Sequence, residues 1–268
     1  MKQYTFDLDK IVEFLNEFKD DLHKLYTWNA KIDRLVELQV LTDLEFRVLS
    51  KKVAFDREII LKQKINLKLR EFYKSDKKQF DNLCLWIIKD WGGILTTKDS
   101  NTIELINEFL KSDNPSYKRI ASSSKVGAYM YPDKYVIYDS RVAYSLNWIL
   151  LSKNAGTFFF PIPSGRNSKM MAFDMNVLIR LKNIDHYSPR DVREIDKKQY
   201  VSQKDKSQYI PKNEAYLELN KLIKEISAKL WDDENAKKML YYTEMLLFSI
   251  ADREIYMDIT KKLTLGIK

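Results

Sequence analysis

The sequence predicts a mostly helical protein. Apolar residues recur about every three to four positions over long stretches, which is the spacing of one face of an α-helix. Only six glycines and six prolines occur among 268 residues, so few tight turns interrupt these stretches. We therefore expect a fold of helices joined by loops.

The amino-terminal part, residues 8–73, predicts a helical layer. Its apolar positions, which include Ile11 and Phe14, recur at helical spacing. Further helices are predicted over residues 44–55 and 59–72, a stretch that also carries many lysines and arginines. A solvated helix face is the ordinary explanation for these charges, and a flank that faces DNA is the alternative.

Two more helices follow before the middle of the chain. One is predicted over residues 80–91, and Gly92 with Gly93 supplies its end because glycine adopts the left-handed conformation that closes many helices. The other covers residues 102–110 and ends before Pro115, which follows a polar run.

The segment from Lys125 to Asp139 reads as a short helix, a Pro-Asp turn and an apolar run rich in β-branched and aromatic residues. Asp139 directly precedes another predicted helix, in which Val142 and Leu146 share one face. A carboxylate there is expected to cap the helix and to stay ionised at the positive end of its dipole. Such a fixed anion is suited to stabilise a developing cation, as in cleavage of a glycosidic bond.

Three serines, Ser122, Ser123 and Ser124, come just before this segment. Hydroxyls and free N–H groups at the start of a helix can cap it or hold a phosphate. Lys125 would then begin the helix beside the same phosphate. A capping aspartate and a surface lysine are the ordinary alternative.

Two short runs carry a resemblance to the active-site segment of the helix-hairpin-helix DNA glycosylases: Ser-Lys-Val-Gly-Ala and Tyr-Val-Ile-Tyr-Asp-Ser-Arg-Val-Ala. The resemblance covers about residues 113–151 and implies a glycosylase-like helical fold, in a divergent member of the superfamily that is similar to the 8-oxoguanine glycosylases. It implies that Asp139 assists loss of the base and that Lys125 is the attacking amine of members with lyase activity. The usual glycine-rich hairpin is replaced here by Ile-Ala-Ser-Ser-Ser.

The predicted DNA contacts and base pocket surround the same segment. The predicted DNA contacts are Ser122, Ser123, Ser124, Lys118, Arg119, Arg141 and Arg166. The predicted base pocket consists of Tyr138, Phe159 and Phe160. The stretch 153–167 is the least helical and combines aromatic residues, prolines and an arginine, which is typical of loops that stack bases; a packed surface loop is the alternative.

The carboxy-terminal part returns to helices. A helix is predicted over residues 174–184, and two more over 214–231 and 235–260. Between them, residues 185–213 are polar and charged, which indicates a long functional loop or a linker.

At 268 residues and 31.9 kDa, the chain is long enough for one large or two small domains. We expect an amino-terminal layer over residues 1–75, a glycosylase-like core over 76–184, and carboxy-terminal helices over 185–268 that pack on the core in one compact unit.

The composition indicates a polyanionic partner and excludes several kinds of site. The net charge is +8 and the isoelectric point is about 9.2, which suits binding to phosphates. The single cysteine, Cys84, lies in an apolar run, so neither an internal disulfide nor a four-cysteine iron–sulfur cluster can form. His23 and His186 are far apart in sequence, so we predict no zinc site and no cofactor.

The chain shows no signal peptide and no apolar run of about 18 residues, so we expect a soluble cytoplasmic protein, nucleoid-associated in a prokaryote, without a membrane partner. The predicted function is excision of a modified base from double-stranded DNA, with an added lyase activity if Lys125 attacks the sugar. A DNA-binding protein without catalysis is one alternative. The other is a metal-dependent nuclease that uses Asp196 and Lys198 together with Asp185 or Asp174 upstream.

Overall fold

A computed structural model describes residues 3–95, 98–164, 167–195, 197 and 206–263. Within these residues the chain is mostly helical and has no strand, which confirms the predicted all-α class. Two isolated bridges pair extended residues, Phe6 with Gly156 and Phe159 with Tyr209. None of the helices described is both long and apolar enough to span a bilayer.

Seventeen α-helices occur in the described part of the chain. The first eight are α1 (Leu8–Asn16), α2 (Leu22–Leu25), α3 (Arg34–Glu37), α4 (Asp43–Leu49), α5 (Ala54–Ser75), α6 (Lys77–Trp86), α7 (Asp99–Lys111) and α8 (Ile120–Met130). The other nine are α9 (Ser140–Ser152), α10 (Ser168–Ala172), α11 (Met175–Lys182), α12 (Ile184–Tyr187), α13 (Val192–Ile195), α14 (Lys212–Leu230), α15 (Glu234–Lys238), α16 (Tyr241–Ile250) and α17 (Glu254–Lys262). A π-helical turn, Ile87–Trp91, continues α6.

The predicted single helix over residues 235–260 is wrong, because the chain forms α15, α16 and α17 there. The backbone of Met239 is extended (φ −86°, ψ 94°), which ends α15. This break lets the N–H of Leu240 donate to the carbonyl of Pro132 at 2.9 Å. A contact more than a hundred residues away in sequence therefore overrides the local helical pattern.

Two hydrophobic cores hold the helices together. The first combines α1 and α2 with α9, α11, α14, α16 and α17, whereas the second combines α3 to α6 with part of α7 and the later half of α8. The cores thus cut across the predicted boundary at residue 75, because residues 4–26 pack with the carboxy-terminal helices. Helix α8 contributes to both cores, with Ile120 in the first and Tyr129 in the second. Junctions of this kind often hold ligand sites.

Helix α5 fixes the carboxy-terminal end of α8. The amide of Asn66 donates to the carbonyls of Tyr129 (2.7 Å) and Met130 (2.9 Å), and Arg70 Nε donates to Met130 at 3.3 Å. The last carbonyls of a helix have no partner within it, so these bonds both satisfy them and set the position of α8 against α5.

Candidate functional site

Asp139 is the N-cap of α9, as the sequence predicts. Its Oδ1 accepts hydrogen bonds from the backbone N–H groups of Arg141 (2.9 Å) and Val142 (3.0 Å). Two donors on one oxygen hold the carboxylate at the positive end of the helix dipole.

The chain reaches Asp139 through residues 135–138, an extended segment held by side chains. Three consecutive backbone N–H groups donate to side-chain oxygens of three helices: Val136 to Asn220 (2.8 Å), Ile137 to Glu244 (3.3 Å) and Tyr138 to Ser124 (3.0 Å). The acceptors belong to α14, α16 and α8. The β-branched run therefore satisfies its backbone without forming a ladder with another strand.

Lys125 lies inside α8 and does not begin it, which corrects the prediction. The helix begins at Ile120, and the αL conformation of Arg119 (φ 55°) precedes it. The Lys125 side chain is only 6% exposed, and its Nζ donates to the carbonyl of Ala121 at 2.7 Å. Its aliphatic stem fills the space beside Gly92, where a Cβ would lie 2.9 Å from Cε.

The serines before Lys125 are correspondingly inside the helix and largely buried. Ser124 is fully buried and accepts the Tyr138 N–H, so the phosphate contact predicted for it is wrong in this structure. Ser123 is 4% exposed, its hydroxyl donates to the carbonyl of Arg119 at 3.5 Å, and it lines a small cavity of about 180 Å³ with Lys118. Ser122 lines a larger cleft, described below.

Lys125 and Asp139 belong to one group of buried and half-buried charges, which we call the charged cluster. Its members are Glu58, Lys62, Lys125, Asp139 and Glu244. Burial lowers the pKa of Lys125; the carboxylates of Asp139 and Glu244 act against this, and the positive charge of Lys62 adds to it. Asp139 therefore lies near enough to Lys125 to act on its charge.

Two members of the charged cluster come from α5 and were not predicted. Glu58 and Lys62 are one turn apart on the same face, with Nζ 3.6 Å from Oε1. Glu58 also accepts hydrogen bonds from Trp91 Nε1 (3.1 Å to Oε2) and from the Tyr129 hydroxyl (2.8 Å to Oε1). In sequence this pair looks like an ordinary surface pair at i,i+4, so no local signal separates it from the other charges of α5.

Glu244 is the third unpredicted member. It lies on α16, is 4% exposed, and accepts the Ile137 N–H. Burial raises its pKa to about 7, Lys62 opposes the shift, and the negative charges of Asp139 and Glu58 add to it. A carboxyl that titrates near neutral pH can donate or accept a proton under physiological conditions.

Aromatic side chains surround the charged cluster. The Lys62 ammonium lies 4.7 Å from the ring centre of Tyr129, 5.5 Å from that of Trp91 and 5.4 Å from that of Tyr241. Trp28 donates from Nε1 to the Trp91 carbonyl at 3.1 Å, which fixes the π-helical turn. Turns of this type are rare and occur frequently at functional sites.

A cleft of about 980 Å³ opens at the amino-terminal end of α8. Lys118, Arg119 and Ser122, all predicted to contact DNA, line it together with Lys212 of α14 and Pro163. The cleft combines basic side chains with the start of α8, where the N–H groups of Ile120 and Ser122 donate to the carbonyls of Tyr117 and Arg119. The basic side chains suit a phosphate backbone.

Arg141 lies at a different cleft, of about 200 Å³. Its guanidinium forms an ion pair with Asp252 at 2.7 Å and lies 4.6 Å from the ring centre of Phe248. Lys24, Lys169 and Arg253 also line this cleft. The structure therefore divides the predicted DNA contacts between two basic openings.

The predicted base pocket is not formed by the residues proposed for it. Tyr138, Phe159 and Phe160 are buried in the first core. The backbone of Phe160 is fixed by Asn147, which accepts its N–H and donates to its carbonyl, both at 2.8 Å. Tyr138 and Phe160 are packing groups because the loop folds onto α9, whereas Phe159, although 3% exposed, lines a separate cavity of about 430 Å³. Arg166 lies outside the described residues.

No three or more His, Cys, Asp or Glu side chains are grouped so as to hold a metal ion in the described part of the chain. Asp196 and Lys198, the residues of the nuclease alternative, lie outside it. Comparison of the chain with family models, with curated proteins and with solved structures found no match. Function must therefore be inferred from the site itself.

Proposed function

We propose that the protein is a DNA glycosylase that excises a modified base, with Asp139 and Lys125 as its catalytic residues. The observation that supports this most directly is that both belong to the charged cluster, where a carboxylate fixed by two N–H groups acts electrostatically on a buried amine. The resemblance in sequence concerns the same two residues. The fold it implies, a helix-hairpin-helix glycosylase fold, belongs to the same proposal.

Asp139 would stabilise the positive charge that develops on the sugar as the glycosidic bond breaks. Its position at a helix start is set by hydrogen bonds to the backbone of α9, which is the preorganisation that electrostatic catalysis requires. A half-buried carboxylate also acts through a lower effective dielectric than one in water.

Lys125 would attack the anomeric carbon as a neutral amine while the glycosidic bond breaks, so that the base leaves and takes up the proton that the amine loses. Opening of the bond between the anomeric carbon and the ring oxygen would then give a Schiff base, and β-elimination of the 3′-phosphate would cleave the strand. Lysine is nucleophilic only when uncharged, and a lowered pKa raises the neutral fraction at neutral pH. The hydrogen bond to the Ala121 carbonyl orients the amine toward the amino-terminal turn of α8. That turn lines the 980 Å³ cleft, so substrate would approach from that side.

Asp139→Asn tests the proposal, because it removes the anion and keeps the shape and capping ability of the side chain. We expect excision from oligonucleotides with different modified bases, read as alkali-labile sites, to fall by about 10²-fold or more, with DNA binding retained. Borohydride in the same reactions should trap a protein–DNA adduct that Lys125→Gln abolishes.

Asp174→Asn is the matched control, since Asp174 caps α11 through the Asn176 N–H at 2.7 Å. It should excise like the parent. Excision by Asp139→Asn within a few-fold of the parent would refute the catalytic role of Asp139.

A second candidate is a DNA-binding protein without catalysis. The enclosure of the charged cluster favours it, since Glu58, Lys62 and Lys125 are almost completely buried; Glu58 pairs with Lys62, and Lys125 donates to the Ala121 carbonyl. In that case DNA would bind at the 980 Å³ cleft, and no modified base in the panel would be released.

A further inference from the structure

A second lysine lies beside the proposed nucleophile. Lys62 is 5% exposed, and its Nζ is 5.5 Å from the ring centre of Trp91. The Nζ of Lys125 is 6.0 Å from the centre of the same ring. Two buried amines from different helices, α5 and α8, therefore share one indole.

The two amines have different partners. Lys62 faces the carboxylate of Glu58, which Trp91 and Tyr129 hold in place through their N–H and O–H groups. Lys125 instead donates to an uncharged group, the Ala121 carbonyl. A carboxylate within about 4 Å stabilises an ammonium far more than a carbonyl does, so the geometry places the positive charge on Lys62.

We propose that Lys62 is a positioning residue that carries the positive charge of this lysine pair and thereby keeps Lys125 an uncharged amine. Like charges disfavour one another most where water is excluded, and both side chains are buried. The inference rests on the proposed role of Lys125 and adds a residue to it. Lys62 itself does not touch the sugar.

The two carboxylates near Lys125 act against Lys62 on the charge of Lys125. Asp139 and Glu244 favour its charged form, whereas burial and Lys62 favour the neutral form. The charged residues of the π-helical turn take no part, because Lys89 pairs with Asp99 and Asp90 pairs with Arg34. From α7 the residue that approaches α8 is Phe109, at Gly127. Lys62 is thus the cation that, together with burial, opposes protonation of Lys125, and its effect is the smallest of the four.

The test is an NMR titration of full-length protein with ¹⁵N-labelled lysine. The Lys125 signal is assigned by its loss in Lys125→Arg. In Lys62→Met the pKa of Lys125 should rise by about one unit or more, because the neighbouring charge is gone. Lys62→Arg keeps that charge and should give a titration close to that of the parent.

Lys62→Met leaves the buried Glu58 without its partner, so this variant can fail to fold, which circular dichroism would show. The double variant Glu58→Gln/Lys62→Met avoids that unpaired charge. It should also raise the pKa of Lys125. An unchanged Lys125 titration in the folded variant would overturn the proposal. The titration needs no DNA, so its result can be distinguished from a failure of the glycosylase proposal. If excision and trapping are found, the pH profile of trapping should move upward in parallel.

Discussion

At the level of single residues, the charged cluster joins groups whose charges depend on one another. Glu244 shows this most clearly, because it is buried next to Lys62 and also holds the backbone that leads to Asp139. A single carboxyl thus has both a structural and an electrostatic role. Its protonation should be visible in the stability of the protein.

We expect Glu244 to make the protein less stable as the pH rises through about 7. Its pKa is raised in the folded state, so its contribution to stability is complete below its ordinary value of 4.5 and is lost as the pH passes about 7. Glu244→Gln resembles the protonated form. The free energy of unfolding of this variant minus that of the parent should therefore be larger at pH 8 than at pH 5, by roughly 2–4 kcal/mol.

Urea unfolding at several pH values measures this difference. Glu71→Gln, at an exposed glutamate of α5 that pairs with Lys68, is the control and should follow the pH dependence of the parent. A constant difference between Glu244→Gln and the parent over this pH range would contradict the expectation.

At the level of secondary structure, the contact between α7 and α8 depends on a glycine. A Cβ on Gly127 would lie 2.4 Å from Cε1 of Phe109. An added methyl group therefore fits only if the Phe109 ring or the backbone of α8 moves. Gly127→Ala should therefore destabilise the protein by about 1–3 kcal/mol through overpacking, less the roughly 1 kcal/mol that alanine gains in a helix.

Phe109→Leu combined with Gly127→Ala identifies the cause. The smaller side chain removes the clash, so the double variant should lose less stability than the sum of the two single variants. Additive losses, measured by thermal or urea unfolding, would mean that the ring does not limit the approach of α7 to α8.

The sequence predicted the helical class and several helices well, because those signals are local. The helices over 102–110 and 214–231 appear as α7 and α14, and Asp139 caps α9 as expected. The break at Met239 was missed because a distant carbonyl on Pro132 causes it.

The site could be predicted only in part, for the same reason. Lys125 and Asp139 lie in one short segment, whereas Glu58, Lys62 and Glu244 reach them from α5 and α16 through tertiary packing. Phe160 was assigned to the base pocket from its loop composition, but its backbone is held by Asn147. The spacing of residues along the chain does not predict contacts between distant segments.

At the level of the whole molecule, the chain carries a net charge of +8, and basic side chains line two of its clefts. We expect affinity for duplex DNA to fall steeply with salt, with Lys118→Ala and Lys212→Ala each making the plot of log affinity against log salt shallower by about 0.9. Both side chains line the 980 Å³ cleft and would neutralise phosphates there.

Lys78→Ala is the control, because Lys78 is exposed on α6 and does not line this cleft. Fluorescence anisotropy at several salt concentrations measures the slopes. Equal slopes for the parent and the two cleft variants would place the DNA-binding surface elsewhere.

The side chains that hold residues 135–138 also bear on how the protein folds. Their acceptors, Ser124, Asn220 and Glu244, are 14, 84 and 107 residues away from the N–H groups they bind. Contacts between such distant residues form late, because the loops between them must close first. During refolding, helical structure should therefore appear before Asp139 reaches its final place, so the segment that leads to Asp139 is completed only after α8, α14 and α16 have come together.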